Sequence, residues 1–131
     1  AIAERLSQEA KELSKLSINT IAIMSNDVVQ YPDDSYENMK LFANKYDFMF
    51  PYLFDETQEV AKQYGAVCTP DIFGFNNKKL LCYRGRIDSG VMNSNNQKID
   101  RELYNAMVKI KNDGIGPDKQ LNSFGCSIKW K

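Results

Sequence analysis

The stretch Gly65-Ala66-Val67-Cys68-Thr69-Pro70-Asp71-Ile72-Phe73-Gly74-Phe75 decides how the chain is read. It runs as a loop entering a strand, because Ile72, Phe73 and Phe75 are strand formers. Asn76-Asn77-Lys78 is a turn signal, and Leu80-Leu81-Cys82-Tyr83 is a second apolar run. Residues 72–76 and 79–84 are therefore expected to pair as an antiparallel hairpin. Thr69-Pro70 stands at the entry. Proline has no N–H to give a ladder and is confined to an edge, a bulge or the first residue of a strand. Pro70 is thus positional, and it is the candidate for a cis bond, since only X-Pro bonds go cis at modest cost.

On the N-terminal side, Ile2, Leu6, Ala10, Leu13 and Leu16 recur three to four apart against Glu4, Arg5, Gln8, Lys11 and Glu12, the pattern of an amphipathic helix. No capping residue precedes it, which suggests a helix that begins before Ala1. Ile18 to Met24 reads as a buried strand. Tyr31-Pro32-Asp33-Asp34-Ser35 is a loop feeding a helix, with Asp34 or Ser35 as N-cap, Glu37 answering Asp34, and Tyr36, Met39, Phe42, Ala43 and Tyr46 inward. A short strand at 52–54 and a brief helix capped by Asp55 with Gln58 follow, and Gly65 ends that helix. Beyond the hairpin, residues 90–98 form a polar surface loop. A last helix carries Ile99, Leu103, Ala106, Met107 and Ile110 inward and stops at Asp113-Gly114. Helices alternating with strands make an α/β domain with helices on both faces of its sheet.

Composition narrows the function classes. The chain has 131 residues, 43% hydrophobic and 26% charged, as one ordinary domain should. Seventeen basic and seventeen acidic residues cancel, so no net field favours nucleic acid or an anionic membrane. No apolar run has the length of a membrane span, and residues 1–10 make no signal-peptide core. There is no histidine, which removes Ser-His-Asp and Cys-His catalysis and histidine metal sites. The three cysteines, Cys68, Cys82 and Cys126, are far apart, so neither a zinc site nor a local dithiol is encoded. Their odd number favours a reducing compartment, and a cytoplasmic protein is expected.

Gly65 to Phe73 followed by Tyr83-Arg84-Gly85-Arg86-Ile87-Asp88 resembles the thioredoxin-like superfamily. Within it, the chain is similar to the peroxiredoxin-like branch, the alkyl hydroperoxide reductase and thiol-specific antioxidant type proteins of bacteria. Asp55 to Ala61 and the tail Gly125-Cys126-Ser127-Ile128-Lys129-Trp130-Lys131 look like the same branch. The resemblance implies one thioredoxin-like domain over residues 1–131, a central mixed sheet flanked by helices. It also implies a truncated N-terminus, because a central parallel strand and the active-cysteine loop of that fold would precede Ala1. The facing edges of Ile18–Met24 and Ile72–Asn76 would then need a partner, supplied by upstream residues or by a second copy in a homodimer.

The same resemblance implies a thiol-based redox protein, a thiol-disulfide oxidoreductase or a hydroperoxide reductase, whose primary cysteine lies upstream. Cys68 and Cys126 are then the catalytic candidates in this chain, as partners of that cysteine. Thr69 and Pro70 would hold an extended substrate or a partner thiol, and Arg86 would serve a carboxylate or a peroxide oxygen. Each has a plainer reading: Cys68 as a small buried hydrophobe, Cys126 as a stray thiol on a terminus, and Arg84 or Arg86 as salt-bridge partners of Asp71 or Asp88. For Cys126, Lys129 and Lys131 offer the positive setting that lowers a thiol pKa. Cys82 alternates in the hairpin and belongs in the core. No arginine stands at Cys68-Thr69-Pro70, a departure from the peroxiredoxin pattern that moves the reading toward thiol–disulfide exchange. Partners would be a thiol or disulfide protein or a small hydroperoxide, with no metal or organic cofactor. The alternative is a redox-inactive binding or scaffold module using the groove beside Pro70.

Overall fold

A computed structural model describes residues 2–92 and 99–131. The chain condenses into two compact units, Ala1–Val67 with Ser127–Lys131, and Cys68–Cys126.

The first unit opens with α1 (Ile2–Lys15), which buries Ala3, Ser7, Glu9, Ala10 and Leu13. Its inward stripe is turned from the expected one: Ile2, Leu6 and Leu16 are only half-buried. Small residues take the closest positions, and the Ser7 hydroxyl donates to the Asp47 carbonyl at 3.1 Å. Strand β1 is short, Ala22–Met24, and pairs in parallel with β2, Tyr52–Phe54. The expectation of a buried strand from Ile18 fails, since Ile21 is 61% and Ile23 40% exposed, and Leu53, opposite Ile23, is 49% exposed. Among the described residues β1 has only β2 as a ladder partner, so its other edge is left open, and the register partners Ile23 and Leu53 stay exposed on one face of the pair. Between them, α2 (Tyr36–Lys45) starts at Ser35, whose hydroxyl accepts from the Asn38 N–H at 3.3 Å. Asp34 instead receives the Asn26 amide at 3.0 Å. Of the five side chains expected to face inward from this helix, only Met39 is fully buried. Phe42 instead joins Phe48 and Tyr52 in a half-exposed aromatic cluster, with ring centroids 5.7 and 6.3 Å from Phe42.

After β2, Asp55 places its carboxylate at the start of α3 (Glu59–Tyr64), accepting from Ala61 N–H at 3.0 Å and Val60 N–H at 3.3 Å. Gly65 closes that helix in the left-handed region at φ 70°. Gln58, also left-handed at φ 66°, is 2% exposed. Its amide donates to the carbonyls of Ser25 at 2.8 Å and Lys129 at 2.9 Å and accepts from the Lys131 N–H at 3.1 Å. The C-terminal tail is thereby laced to this unit, with Lys129 N–H also bound by Asn26 at 2.9 Å.

In the second unit, β3 (Cys68–Thr69) precedes a hairpin of β4 (Ile72–Phe75) and β5 (Leu81–Gly85), antiparallel as expected, with a bulge at Gly74/Phe75. Asn76 closes the turn by accepting from the N–H groups of Lys78 at 2.9 Å and Leu80 at 3.0 Å. Helix α4 spans Glu102–Asp113 and buries Leu103, Ala106, Met107 and Ile110; Ile99 lies outside it and is exposed. Met107 packs on Gly74, where a Cβ would stand 2.5 Å from the Met107 sulfur. Gly114 ends α4 at φ 75°. Residues 115–124, which carry no periodicity, run along β5: Arg86 N–H donates to the Leu121 carbonyl at 3.0 Å, and the Ser123 hydroxyl to the Gly85 carbonyl at 2.6 Å. The segment returns to β6 (Cys126–Ser127), the ladder partner of β3. Of the expected surface loop at 90–98, residues 93–98 lie outside the described residues; Ser89–Met92 is one 3₁₀ turn. Among the described residues no helix is long and apolar enough to cross a membrane.

Candidate functional site

Four of the five residues singled out in the sequence, Cys68, Thr69, Pro70 and Cys126, lie in β3, directly after it, or at the start of β6. Cys68 is half-buried, with Sγ 3.6 Å from the Pro70 carbonyl oxygen. The Thr69–Pro70 peptide bond is cis. Thr69 is exposed, and its hydroxyl donates to the Cys126 carbonyl at 3.3 Å, which puts the two residues side by side. Adjacent strand residues point to opposite faces, so the Cys68 thiol leaves the ladder on the face away from the Thr69 hydroxyl. All three cysteines are free, and Cys126 is exposed.

The approach of the two segments depends on Gly125. A Cβ at that position would stand 2.0 Å from the Thr69 carbonyl oxygen and 3.3 Å from the Pro70 nitrogen. Only a residue without a side chain lets the tail lie this close to Thr69-Pro70.

The electrostatics around Cys68 oppose a thiolate. Burial pushes its pKa up, the Asp71 carboxylate pushes it further, and the Arg84 guanidinium only partly offsets them. Asp71 itself is held by Arg84 Nη2 at 3.0 Å and by the Ser123 hydroxyl at 3.4 Å, while Arg84 lies over the Phe73 ring, 4.9 Å from its centroid. The salt-bridge reading of Arg84 is what the structure shows. For Arg86 the expected carboxylate partner is corrected: its Nε donates to both oxygens of Glu102 on α4 at 2.9 Å, not to Asp71 or Asp88. Asp88 accepts from the Gly90 N–H at 2.8 Å instead. The site therefore gathers Cys68, Thr69, Pro70 and Cys126, and leaves Arg86 committed to α4.

Two participants escaped the sequence reading. Ser123 sits in a stretch with no pattern, and Gly125 looked like a simple tail glycine; the signal for the latter was its place beside Cys126 in a stretch already set apart. Cys82, expected in the core, is half-buried, with its sulfur 3.3 Å from the Leu80 carbonyl and 3.5 Å from that of Gly114. Among the described residues no group of three or more Cys, Asp or Glu side chains is arranged to hold a metal ion. The Cys126 thiol is free and exposed, and a thiol becomes a nucleophile as its thiolate.

Residues 1–87 match the AhpC/TSA family. A crystal structure of an uncharacterized conserved protein from Geobacillus kaustophilus is 43% identical, superposes with a TM-score of 0.89, and is matched over 99% of this chain and 69% of its own. A crystal structure of a hypothetical protein from Sinorhizobium meliloti is 34% identical with a TM-score of 0.88, matched over 99% of this chain and 71% of its own. No match was found among curated proteins. The α/β architecture is thioredoxin-like, and the chain belongs to the AhpC/TSA family.

Proposed function

We propose that the protein is a thiol-based redox protein in which a cysteine upstream of Ala1 attacks the substrate and Cys126 resolves the product. The observation that carries the proposal is that Cys126, whose thiol is free and exposed, meets Thr69 through its backbone carbonyl in a chain of the AhpC/TSA family. In the hydroperoxide form of the reaction, the upstream thiolate takes the distal oxygen of ROOH, releasing ROH once the alkoxide gains a proton and leaving a sulfenic acid. Cys126 then attacks that sulfur, forming a disulfide and expelling water. In the disulfide form, the upstream thiolate attacks a partner disulfide and Cys126 displaces the partner thiol from the mixed disulfide. Thr69 and Pro70 line the place for the extended partner segment. Arg86 is bound to Glu102 through its Nε, and its Nη groups would be the donors to a substrate oxygen. A second copy of the chain can pair on the uncovered edge of β1. A bacterial, cytoplasmic setting suits free thiols of this kind.

Cys68 is the weaker redox partner, because its raised pKa keeps the thiol protonated near neutral pH. That same observation favours the second reading, a redox-inactive module that uses the groove beside Pro70 to hold a partner. The test compares the 131-residue chain with the same chain extended by the residues that precede Ala1 in its gene, assayed for hydroperoxide and disulfide reduction. The redox reading expects the short chain to react no faster than a free thiol and the long one to turn over, with Cys126→Ser trapping the sulfenic acid or mixed disulfide. Turnover by the short chain that survives Cys68→Ser with Cys126→Ser would place the chemistry elsewhere, and an inactive long chain would leave the scaffold reading standing.

A further inference from the structure

The second unit holds a cavity of about 280 Å³ between α4 and residues 117–121, and none of Cys68, Thr69, Pro70 or Cys126 lines it. Its floor is apolar: Ala106, 3% exposed, and the ring of Tyr83, 2% exposed, with Leu121 and Pro117 beside them. The Tyr83 hydroxyl is taken up by the Arg86 carbonyl at 2.5 Å, and burial first, then Glu102, pushes its pKa up to about 12, so the ring presents a neutral surface.

The wall formed by 117–121 is fixed in advance. The Gln120 amide donates to the carbonyls of Cys82 at 2.9 Å and Pro117 at 3.0 Å, and its oxygen accepts from the Arg84 N–H at 2.9 Å. Gly116 lies so close to β5 that a Cβ there would stand 1.8 Å from the Cys82 carbonyl oxygen. A pocket held open by its own backbone needs no rearrangement to take a ligand.

The charges on its rim are mostly answered. Glu102 is paired with Arg86 at 2.9 Å, and Lys109 with Asp113 at 2.9 Å. Two polar groups on the lining, the Lys119 ammonium and the Asn105 side-chain amide, have no protein partner among the described residues. One unanswered cation and one amide, over an apolar floor, suit a single negative charge carried by a compact apolar body. The volume lies just under the roughly 300 Å³ at which sites for drug-sized ligands begin, so the ligand is small.

We propose that this cleft is a binding site for a small organic carboxylate, with Lys119 and Asn105 taking the carboxylate and Tyr83, Ala106 and Leu121 receiving its apolar part. The test is a ¹H–¹⁵N NMR titration of the protein with 3-phenylpropionate, alongside the uncharged 3-phenylpropanol. Saturable shifts centred on residues 83, 102–109 and 117–121 are expected, with the alcohol binding about tenfold more weakly. Lys119→Met and Asn105→Leu, both at exposed positions that leave the fold intact, are each expected to weaken the acid by about fivefold or more while leaving the alcohol unchanged. No saturation below about 10 mM, equal affinity for acid and alcohol, or indifference to both substitutions would overturn the assignment.

Discussion

Asp55 is buried, yet it stays a carboxylate. Burial on its own would raise its pKa, but hydrogen bonds from the Ala61 N–H, the Ser25 hydroxyl and the Val60 N–H outweigh it, and the net shift is downward. The consequence for stability follows from the sign. A carboxylate whose pKa falls on folding contributes stability that is complete above its unfolded value, about 4, and that disappears as pH falls through the lower folded value. Asp55→Asn keeps the shape but turns an NH₂ group toward donors, so it is expected to cost about 2–3 kcal/mol at neutral pH. The gap between variant and wild type, read from urea denaturation, should shrink steadily below about pH 4; a gap independent of pH would show that the charge plays no part. This residue was half legible in the sequence. The spacing of Asp55 and Gln58 announced a helix start, and Asp55 does cap α3. Gln58, however, spends its amide on Ser25, Lys129 and Lys131, the last two 71 and 73 positions away, and no local pattern encodes partners at that separation.

At the scale of elements, the hairpin was the easiest to read, because alternation and the Asn76 turn are both local, and the structure pairs Ile72 with Gly85 through Phe75 with Leu81. Helix α4 was legible in its buried face but not at its start, since Ile99 continues the period without a cap to say where the helix begins. Least legible was the packing of the tail on β3, which depends on a through-space approach. Gly125 makes that approach possible, and it yields a test that separates it from ordinary tail flexibility. Gly125→Ala would force a methyl to within 2.0 Å of the Thr69 carbonyl oxygen, so the two segments must part. Expected outcomes are a loss of about 1–3 kcal/mol and loss of the Thr69 hydroxyl bond to Cys126. Hydrogen exchange at Cys126 and Ser127 should rise while that of α4 is unchanged. Protection equal to wild type at these amides would mean that the tail does not depend on this contact.

For the whole molecule, the strands decide the behaviour. Among the described residues β1 pairs only with β2 and β4 only with β5, and two-stranded sheets are marginal on their own in water. A strand left with one neighbour presents unpaired N–H and C=O groups, an invitation to another chain. On β1 and β2 the invitation is strengthened by side chains, because Ile21, Ile23 and Leu53 put apolar surface beside that edge, where a soluble monomer usually keeps charge. The run from Ile18 to Met24 had the composition of a strand buried on both sides, and its exposure here is the clearest disagreement between composition and structure. The sequence states what those residues are fit for, and the described chain supplies only one of the two neighbours. The 131-residue polypeptide, prepared by itself, is therefore expected to self-associate, with a light-scattering mass that rises with concentration above the 15.0 kDa of one copy. Ile23→Lys should suppress this by placing a charge on the uncovered face, as natural edge strands do, without touching β2 pairing. A concentration-independent mass of one copy for the 131-residue chain would show that the edge of β1 is inert, and that its apolar side chains need no partner.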